Sequence, residues 1–423
     1  MQGVNRNIRG ITENALCTGC GACAGICPVE AISMKENASG FIQAIIDNTK
    51  CIQCSKCINI CPSNGEIQDE DLIGPCMKGY LGYAKDTKLR LQSQSGGVTT
   101  ALLCYLMKHN IVDAVVITRF NCNIKRAESF LATSIEDIEG AKGSHYTQST
   151  IVETILKNQD KRLAAVVLGC QALSIKQISE KYKNIKLPVL TIGLICGGNL
   201  SGYMVDDILR QAKVKENIQI KEFRFRDKMY GGWPGDISVH SDRHIVLPKE
   251  KRMELKQYYQ NYRCLVCANK MNQDCDIVIG DPWGIPVQDE KKGYSALITR
   301  TEKGNKILSE AENQGYITLF DEDVKKIIDG QKINEELKQR HEMSKIISVK
   351  NNWKFPYILG DDKNDFLKQK VNDSFVEKMR YLRKLSLSKN KSEAMQLIRR
   401  EKKKNYHPIK EFLYSVKKRL RRD

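Results

Sequence analysis

The chain has 423 residues, 16 cysteines and a formal charge of +18, from 68 Lys and Arg against 50 Asp and Glu. This length exceeds one small module and suits two or three domains. The N-terminus Met1-Gln2-Gly3-Val4-Asn5-Arg6 carries no apolar signal segment and no apolar run reaches membrane-span length, so the cysteines point to a reducing cytoplasm rather than to a disulfide framework. The charge is uneven: His341 to Asp423 holds 23 Lys and Arg against 10 Asp and Glu, a local +13, and the remainder is nearly balanced.

The first element is a repeat. Cys17-x-x-Cys20-x-x-Cys23-x-x-x-Cys27-Pro28 is followed by Cys51-x-x-Cys54-x-x-Cys57-x-x-x-Cys61-Pro62. Each run has the ligand spacing of a [4Fe–4S] cubane, with the fourth cysteine reaching across to the other cluster. Zinc sites use C-x-x-C pairs separated by a longer loop, not three cysteines at consecutive two-residue gaps. Residues 1–70 are therefore expected to form a bacterial-type 2[4Fe–4S] ferredoxin domain, and the chain to move electrons singly. Gly65 to Pro75 is acidic and turn-rich and reads as a linker.

From there to about residue 340, helical and apolar β patterns alternate. Gly97 to His109, Ser149 to Asn158, Ala172 to Tyr182 and Lys303 to Asn313 read as helices. Asp113 to Thr118, Leu163 to Leu168, Pro188 to Leu194, Asp276 to Gly280 and Ser295 to Thr299 read as strands. Short β pieces fill Phe223 to Leu247 around Gly231-Gly232-Trp233-Pro234-Gly235. The expected class is α+β for the ferredoxin unit and α/β for the domain over residues 75–340. Gln94-Ser95-Gly96-Gly97-Val98-Thr99-Thr100 opens a helix; the glycines suit a phosphate contact and equally an ordinary turn. Gly143-Ser144-His145-Tyr146-Thr147-Gln148-Ser149 suits either a flavin or a helix N-cap. His145 reads as a surface histidine or, second to that, an acid–base group, and Asp281-Pro282-Trp283-Gly284 as a pocket wall or a turn over a buried Trp. Cys170 and Cys196 end two strands and can meet at one sheet edge, where Cys264 and Cys267 would complete a four-thiolate site. Cys76, Cys104, Cys122 and Cys275 read as small core residues.

The motifs Ser95-Gly96-Gly97-Val98-Thr99-Thr100, Gly143-Ser144-His145-Tyr146, Gly169-Cys170-Gln171, Gly193-Leu194-Ile195-Cys196, Cys264-Leu-Val-Cys267 and Asp276-Ile-Val-Ile-Gly280-Asp281, in this order, resemble the coenzyme F420 hydrogenase/dehydrogenase beta-subunit family. The resemblance implies an iron–sulfur flavoprotein oxidoreductase with FAD, which passes a hydride to or from a two-electron carrier such as coenzyme F420. It also implies that Cys170, Cys196, Cys264 and Cys267 hold a third [4Fe–4S] cluster, and that Ser95, Gly96, Gly97, Thr99, Ser144 and Tyr146 lie near the flavin. Two positions depart from the pattern: Gly169 stands where many members have Pro, and His145 where Lys is common. A flavin explains the joining of the modules, because it exchanges electrons singly or in pairs. The alternative is an electron-transfer subunit that relays to a partner without a substrate of its own. Expected partners are a one-electron carrier, such as ferredoxin or a redox subunit, and a small hydride carrier.

Residues 341–423 read as a basic helical tail. Ile409, Phe412, Leu413, Val416 and Leu420 recur at helical spacing among lysines and arginines. Such a helix suits an anionic membrane surface, an acidic partner or packing on its own protein. Nucleic acid is not expected, as the tail has no recognised binding motif.

Overall fold

The computed structural model describes residues 6–64, 73–267, 269–333, 340 and 373–404. Each cysteine run wraps a single helical turn, Ala22–Gly25 in the first and Lys56–Asn59 in the second. The residue before each turn is left-handed, Gly21 at φ 81° and Ser55 at φ 64°, and so is the residue two places earlier, Gly19 at 74° and Gln53 at 52°. The backbone must reverse twice within a few residues to face its thiols inward. The first run meets this with glycine, while the second holds non-glycine residues in the same region. Strands β1 (Ile32–Glu36) and β2 (Ile42–Ile46) form an antiparallel hairpin between the runs, with Ile32 opposite Ile46.

The larger part is built on one sheet. In chain order its strands are β3 (Lys78–Ala84), β4 (Ala114–Asn121), β5 (Arg126–Ala132), β6 (Leu163–Val167), β7 (Leu190–Leu194), then β11 (Ile277–Gly280), β12 (Ser295–Thr299) and β13 (Ile317–Glu322). Between them β8 (Glu222–Asp227), β9 (Asp236–His240) and β10 (His244–Leu247) form a separate antiparallel sheet. The eight strands lie in the order β13-β3-β12-β11-β7-β6-β4-β5. The central pairs β11–β7, β7–β6 and β6–β4 are parallel, and the flanking pairs antiparallel. Parallel strands are covered on both faces and so read as unbroken apolar runs. Leu163-Ala-Ala-Val-Val167 follows that rule, and the antiparallel Ser295-Ala-Leu-Ile-Thr299 is buried along its whole length as well. β3 carries Gly79 and Gly82, and β13 is half exposed, so neither has a strong strand pattern.

The expected helices are present as Val98–Lys108, Ile151–Leu156, Gly169–Lys181 and Glu302–Asn313. The third starts three residues before its apolar repeat, which takes Cys170 into its first turn. Part of the region read as a basic helical tail contributes to the core. Helix Asp373–Ser386 and the helix over 391–404 bury Met379, Leu382, Leu385, Ala394 and Ile398 in one cluster with Tyr258, Tyr259 and Tyr262. The apolar residues recur every three or four positions, a stripe hidden in composition by the lysines and arginines between them. The expected basic amphipathic helix, Ile409 to Leu420, lies outside the described residues, as does most of the expected linker. No described helix is long and apolar enough to cross a membrane.

Candidate electron-transfer and cofactor site

The N-terminal thiols fall into interlocked sets. Cys23 is influenced by Cys20, Cys17, Cys61 and Cys57, and Cys61 by Cys20 and Cys17. Cys17, Cys20, Cys23 and Cys61 line one small cavity of about 20 Å³. The fourth cysteine of the second run thus joins the first three of the first run, the crossing that the spacing implies. Burial pushes the Cys17 thiol up to about 11, and Cys23 and Cys61 upward too. Gathered, buried thiols are poorly placed to ionise alone, and iron supplies the compensating charge. The Ala31 amide donates to Cys27 Sγ at 3.3 Å, the type of N–H···S bond that tunes cluster potentials. In the other set Cys57 feels Cys54, which is exposed beside Ile52, itself 61% exposed.

This unit is locked to the sheet domain. The Gln148 side chain accepts from the Ile42 amide at 2.7 Å and donates to the Thr18 carbonyl at 2.9 Å. Asn261 Nδ2 donates to the Cys17 carbonyl at 3.2 Å, the Val152 amide to that of Cys20 at 3.1 Å, and Ser174 Oγ to that of Ile60 at 2.8 Å. Arg263, 1% exposed, donates to Ser63 Oγ and to the Pro62 carbonyl at 2.8 and 3.1 Å. Gly21 lies so close to helix Ile151–Leu156 that a Cβ there would stand 2.8 Å from Glu153 Cβ and 2.9 Å from Thr150 Cβ.

The other four predicted cysteines also come together. Cys170 follows β6 and Cys196 follows β7, at the carboxyl edge where open α/β sheets bind ligands. Cys264 lies in the short turn Tyr262–Val266, and Cys267 directly after it. Burial, then Cys267, Cys20, Cys196 and Cys264, push the Cys170 thiol upward. Burial pushes Cys264 to about 12. The Gly198 amide donates to Cys196 Sγ and the Asn199 amide to Cys264 Sγ, both at 3.3 Å. Among the described residues no three His, Cys, Asp or Glu side chains close around a single metal ion. A cubane requires something different, since each thiolate meets its own iron corner and the sulfurs stand farther apart. The departure at Gly169 has a steric cause: a Cβ there would lie 2.1 Å from the Asn269 carbonyl oxygen.

A cavity of about 2040 Å³ opens beside this set, and Cys196, Gly197 and Gly198 form part of its wall. Ser95, Gly97, Thr99, Ser144 and Tyr146 line it as well. Gly96 is not among the lining residues: its missing Cβ lets the turn pass under the Gly82 carbonyl and the Ser295 amide, which a Cβ would approach to 2.3 and 2.7 Å. His145 lines the cavity, with Nε2 3.1 Å from the Ala141 carbonyl oxygen, and burial keeps its pKa below the usual histidine value. The hydroxyl-bearing side chains Ser95, Thr99, Ser144 and Tyr146 on this wall are a donor and acceptor set that fits a polar cofactor.

The charged centre of this wall does not stand out in the sequence pattern. Asp281, directly after β11, accepts two bonds from Arg226, at 2.7 and 3.0 Å, one from Trp233 Nε1 at 2.8 Å, and one from Ser95 Oγ. Burial would raise the Asp281 carboxyl; Arg226 and these hydrogen bonds outweigh it and hold the group below the ordinary carboxylate range. Trp283 lies against Trp233 with centroids 4.6 Å apart and the rings tilted by 40°, and it is 40% exposed, so the Asp281-Pro282-Trp283-Gly284 segment lines the cavity instead of covering a buried Trp. Lys228 Nζ donates to the carbonyls of Arg90, Ser95 and Lys292. Burial and then Arg90 and Arg226 push it down to about 7. The three carbonyls favour the charged form, and through them the ammonium fixes the Ser95 turn. Of the unassigned cysteines, Cys104 and Cys275 are buried as expected, Cys122 is partly buried, and Cys76 is exposed, with its thiol donating to the Gly74 carbonyl at 3.3 Å.

A paired cysteine module fixed to an open α/β sheet, with more thiols gathered at the strand ends, defines an iron–sulfur electron-transfer protein. Residues 16–64 match a 4Fe–4S dicluster domain. Residues 79–157 and 160–325 match the N-terminal and C-terminal parts of the coenzyme F420 hydrogenase/dehydrogenase beta subunit, and the chain belongs to that family. It is 30% identical over 309 residues to one of the subunits of the F(420)H(2) dehydrogenase of Methanosarcina mazei, covering 70% of this chain and 82% of that one. It is 27% identical to the beta subunit of the F420-dependent formate dehydrogenase 1 of Methanococcus maripaludis, covering 56% of this chain and 60% of that relative's length. The fold is shared with a chain of the F420-reducing [NiFe] hydrogenase complex from Methanosarcina barkeri, at a TM-score of 0.55 and 18% identity, over 69% of this chain and all of the other. The relatives are subunits of F420-dependent oxidoreductases, which places this chain in an oxidoreductase family.

Proposed function

We propose that the chain is an iron–sulfur flavoprotein oxidoreductase, with FAD in the large cavity and coenzyme F420 as its hydride carrier. The observation that carries the reading is the position of the third thiol set: Cys170 feels Cys20 of the ferredoxin unit, and Cys196 lines the cavity. Electrons would enter at the exposed Cys54–Ile52 face, pass to the Cys17, Cys20, Cys23 and Cys61 set, and continue to a third cluster on Cys170, Cys196, Cys264 and Cys267. A one-electron carrier or redox subunit would dock at that face. A bound flavin supplies the exchange between single electrons and a hydride. The N-terminus of helix Val98–Lys108, with Ser95, Gly97 and Thr99, offers its dipole and hydroxyls to a phosphate. Ser144 and Tyr146 would lie along the same cofactor.

A relay subunit without its own substrate is the second reading, favoured by the relatives' being subunits of larger enzymes. The isolated, anaerobically reconstituted chain separates the two. The proposal expects about twelve irons, four per cluster, falling to about eight in Cys264→Ser. It also expects a flavin absorbance and turnover of F420 with a viologen. A complete cluster content without turnover of F420 or a nicotinamide leaves the relay. A count near eight that Cys264→Ser does not change removes the third cluster.

A further inference from the structure

The matched family segments end at residue 325, yet the chain beyond them returns to the third thiol set. Arg340 Nη1 donates to the Cys267 carbonyl at 2.9 Å. Lys378, on helix Asp373–Ser386, donates to Gln260 Oε1 at 3.2 Å, and Gln260 Nε2 donates at 3.3 Å to the carbonyl of Gly197, one residue past Cys196. Lys256 reaches the same stretch, its Nζ 3.1 Å from where a Cβ on Gly197 would stand. Helix Asp373–Ser386 is held there by Tyr381 Oη donating to the Tyr258 carbonyl at 2.9 Å, and by Met379, Leu382 and Leu385 in the core.

Arg340 and Lys256 therefore bear on Cys196, Arg340 on Cys264 as well, and Lys378 stands close enough to feel both cations. Among the described residues neither Lys256 nor Lys378 is ion-paired with a carboxylate, and both are partly buried. Burial, then Lys256 and Arg340, push the Lys378 ammonium down. Half-buried like charges repel unless an anion lies between them. Four thiolates around a cubane supply that anion, and reduction of the cluster adds one further negative charge.

We infer that Lys256 and Lys378 set the potential of the third cluster: their charges stabilise its reduced form and draw electrons from the ferredoxin unit toward the cavity. The step is a transfer of one electron from the Cys17, Cys20, Cys23 and Cys61 cluster to the Cys170, Cys196, Cys264 and Cys267 cluster, supplied by the external one-electron donor. The inference rests on the third-cluster reading above. It gives residues beyond the family segment a part in electron flow, with Lys378 acting through its charge and not as a ligand.

The test is a potentiometric titration of the full, anaerobically reconstituted chain, followed by electron paramagnetic resonance without added flavin or hydride carrier. In Lys256→Gln and in Lys378→Gln, the third cluster's reduced-to-oxidised ratio at a fixed potential is expected to fall about tenfold, ~59 mV toward the negative for a one-electron couple. The two N-terminal clusters keep their potentials, and Lys378→Arg restores the third. An unchanged third potential at full iron content overturns the inference and leaves the lysines to an anionic ligand of the cavity. Equal shifts in all three clusters, or no rescue by arginine, reduce Lys378 to a packing role. Wild-type protein with about eight irons removes the third cluster itself, so failure of that reading is told apart from failure of this one.

Discussion

Replacing Arg226 with methionine isolates the charged centre of the cavity wall. The Arg226 and Asp281 side chains are 5% and 11% exposed, and the guanidinium supplies two of the carboxylate's hydrogen bonds. Removing one partner of such a pair leaves a buried, uncompensated charge and costs about 3–5 kcal/mol. Ser95 and Trp233 still donate to Asp281, so the lower part of that range is expected. At about 2–4 °C per kcal/mol for a domain of this size, the unfolding midpoint should fall by roughly 6–12 °C. The pH dependence gives a second signature. In the native chain the depressed Asp281 pKa contributes stability that is present above the unfolded value of about 3.9 and lost as pH falls through the folded one. Without Arg226 burial prevails, and the folded value rises above the unfolded one. The deficit of the variant should then be greatest near neutral pH and narrow as acid protonates Asp281. Thermal unfolding followed by tryptophan fluorescence measures both, with Trp233 bonded to the carboxylate itself. Adding Asp281→Asn should recover much of the loss. A deficit below about 1 kcal/mol, equal at pH 5 and pH 8, refutes the reasoning.

Two further substitutions address the framework around this site. Gly21→Val meets both a left-handed backbone and the Glu153 and Thr150 side chains; it should cost about 2–4 kcal/mol and speed hydrogen exchange of the Val152 amide, which donates to Cys20. Unchanged exchange there would show that the ferredoxin unit does not depend on close contact with this helix. Lys402→Met removes an ion-pair partner of Asp207, whose side chain is 1% exposed and also accepts from Tyr259 Oη at 2.8 Å. Burial raises Asp207 but its partners hold it low, so the stability it contributes is present above about pH 3.9 and lost in acid. The variant should lose about 1–3 kcal/mol in urea unfolding at pH 7, and an unmoved midpoint would separate the C-terminal helices from the core.

The twelve thiols are legible in the sequence for different reasons. The eight N-terminal ones obey a spacing dictated by the cubane itself. Cys170 and Cys196 follow apolar runs that only buried parallel strands explain, so their meeting at one edge follows from topology. Arg226 is not legible. It lies in Phe223-Arg-Phe-Arg-Asp227, an alternation that reads as a strand with a solvated polar face, and the partner that buries it is 55 residues away in sequence. The steric need for Gly96 is not legible either, because a glycine beside a cavity and a glycine packed under a neighbouring strand leave the same local signature. Composition discounts the C-terminal helices, although Leu382 and Leu385 are fully buried: a narrow apolar stripe is enough when Tyr258, Tyr259 and Tyr262 supply the opposing surface.

The ferredoxin unit presents mostly main-chain oxygen to the domain that holds it. The carbonyls of Cys17, Thr18, Cys20, Ile60 and Pro62 are the acceptors, and Asn261, Gln148, Val152, Ser174 and Arg263 the donors. The address for docking is therefore written on one side. Provided Gly21 stays bare and the Ser63 and Glu36 contacts are kept, other side chains on the small module can drift, or the module be exchanged for another of the same backbone path, without erasing the fit. Loss of Gln148 or Arg263 strands every such module at once. Chimaeras that graft a foreign two-cluster unit onto this sheet domain should assemble, and the reverse graft, this unit on a domain without those donors, should not.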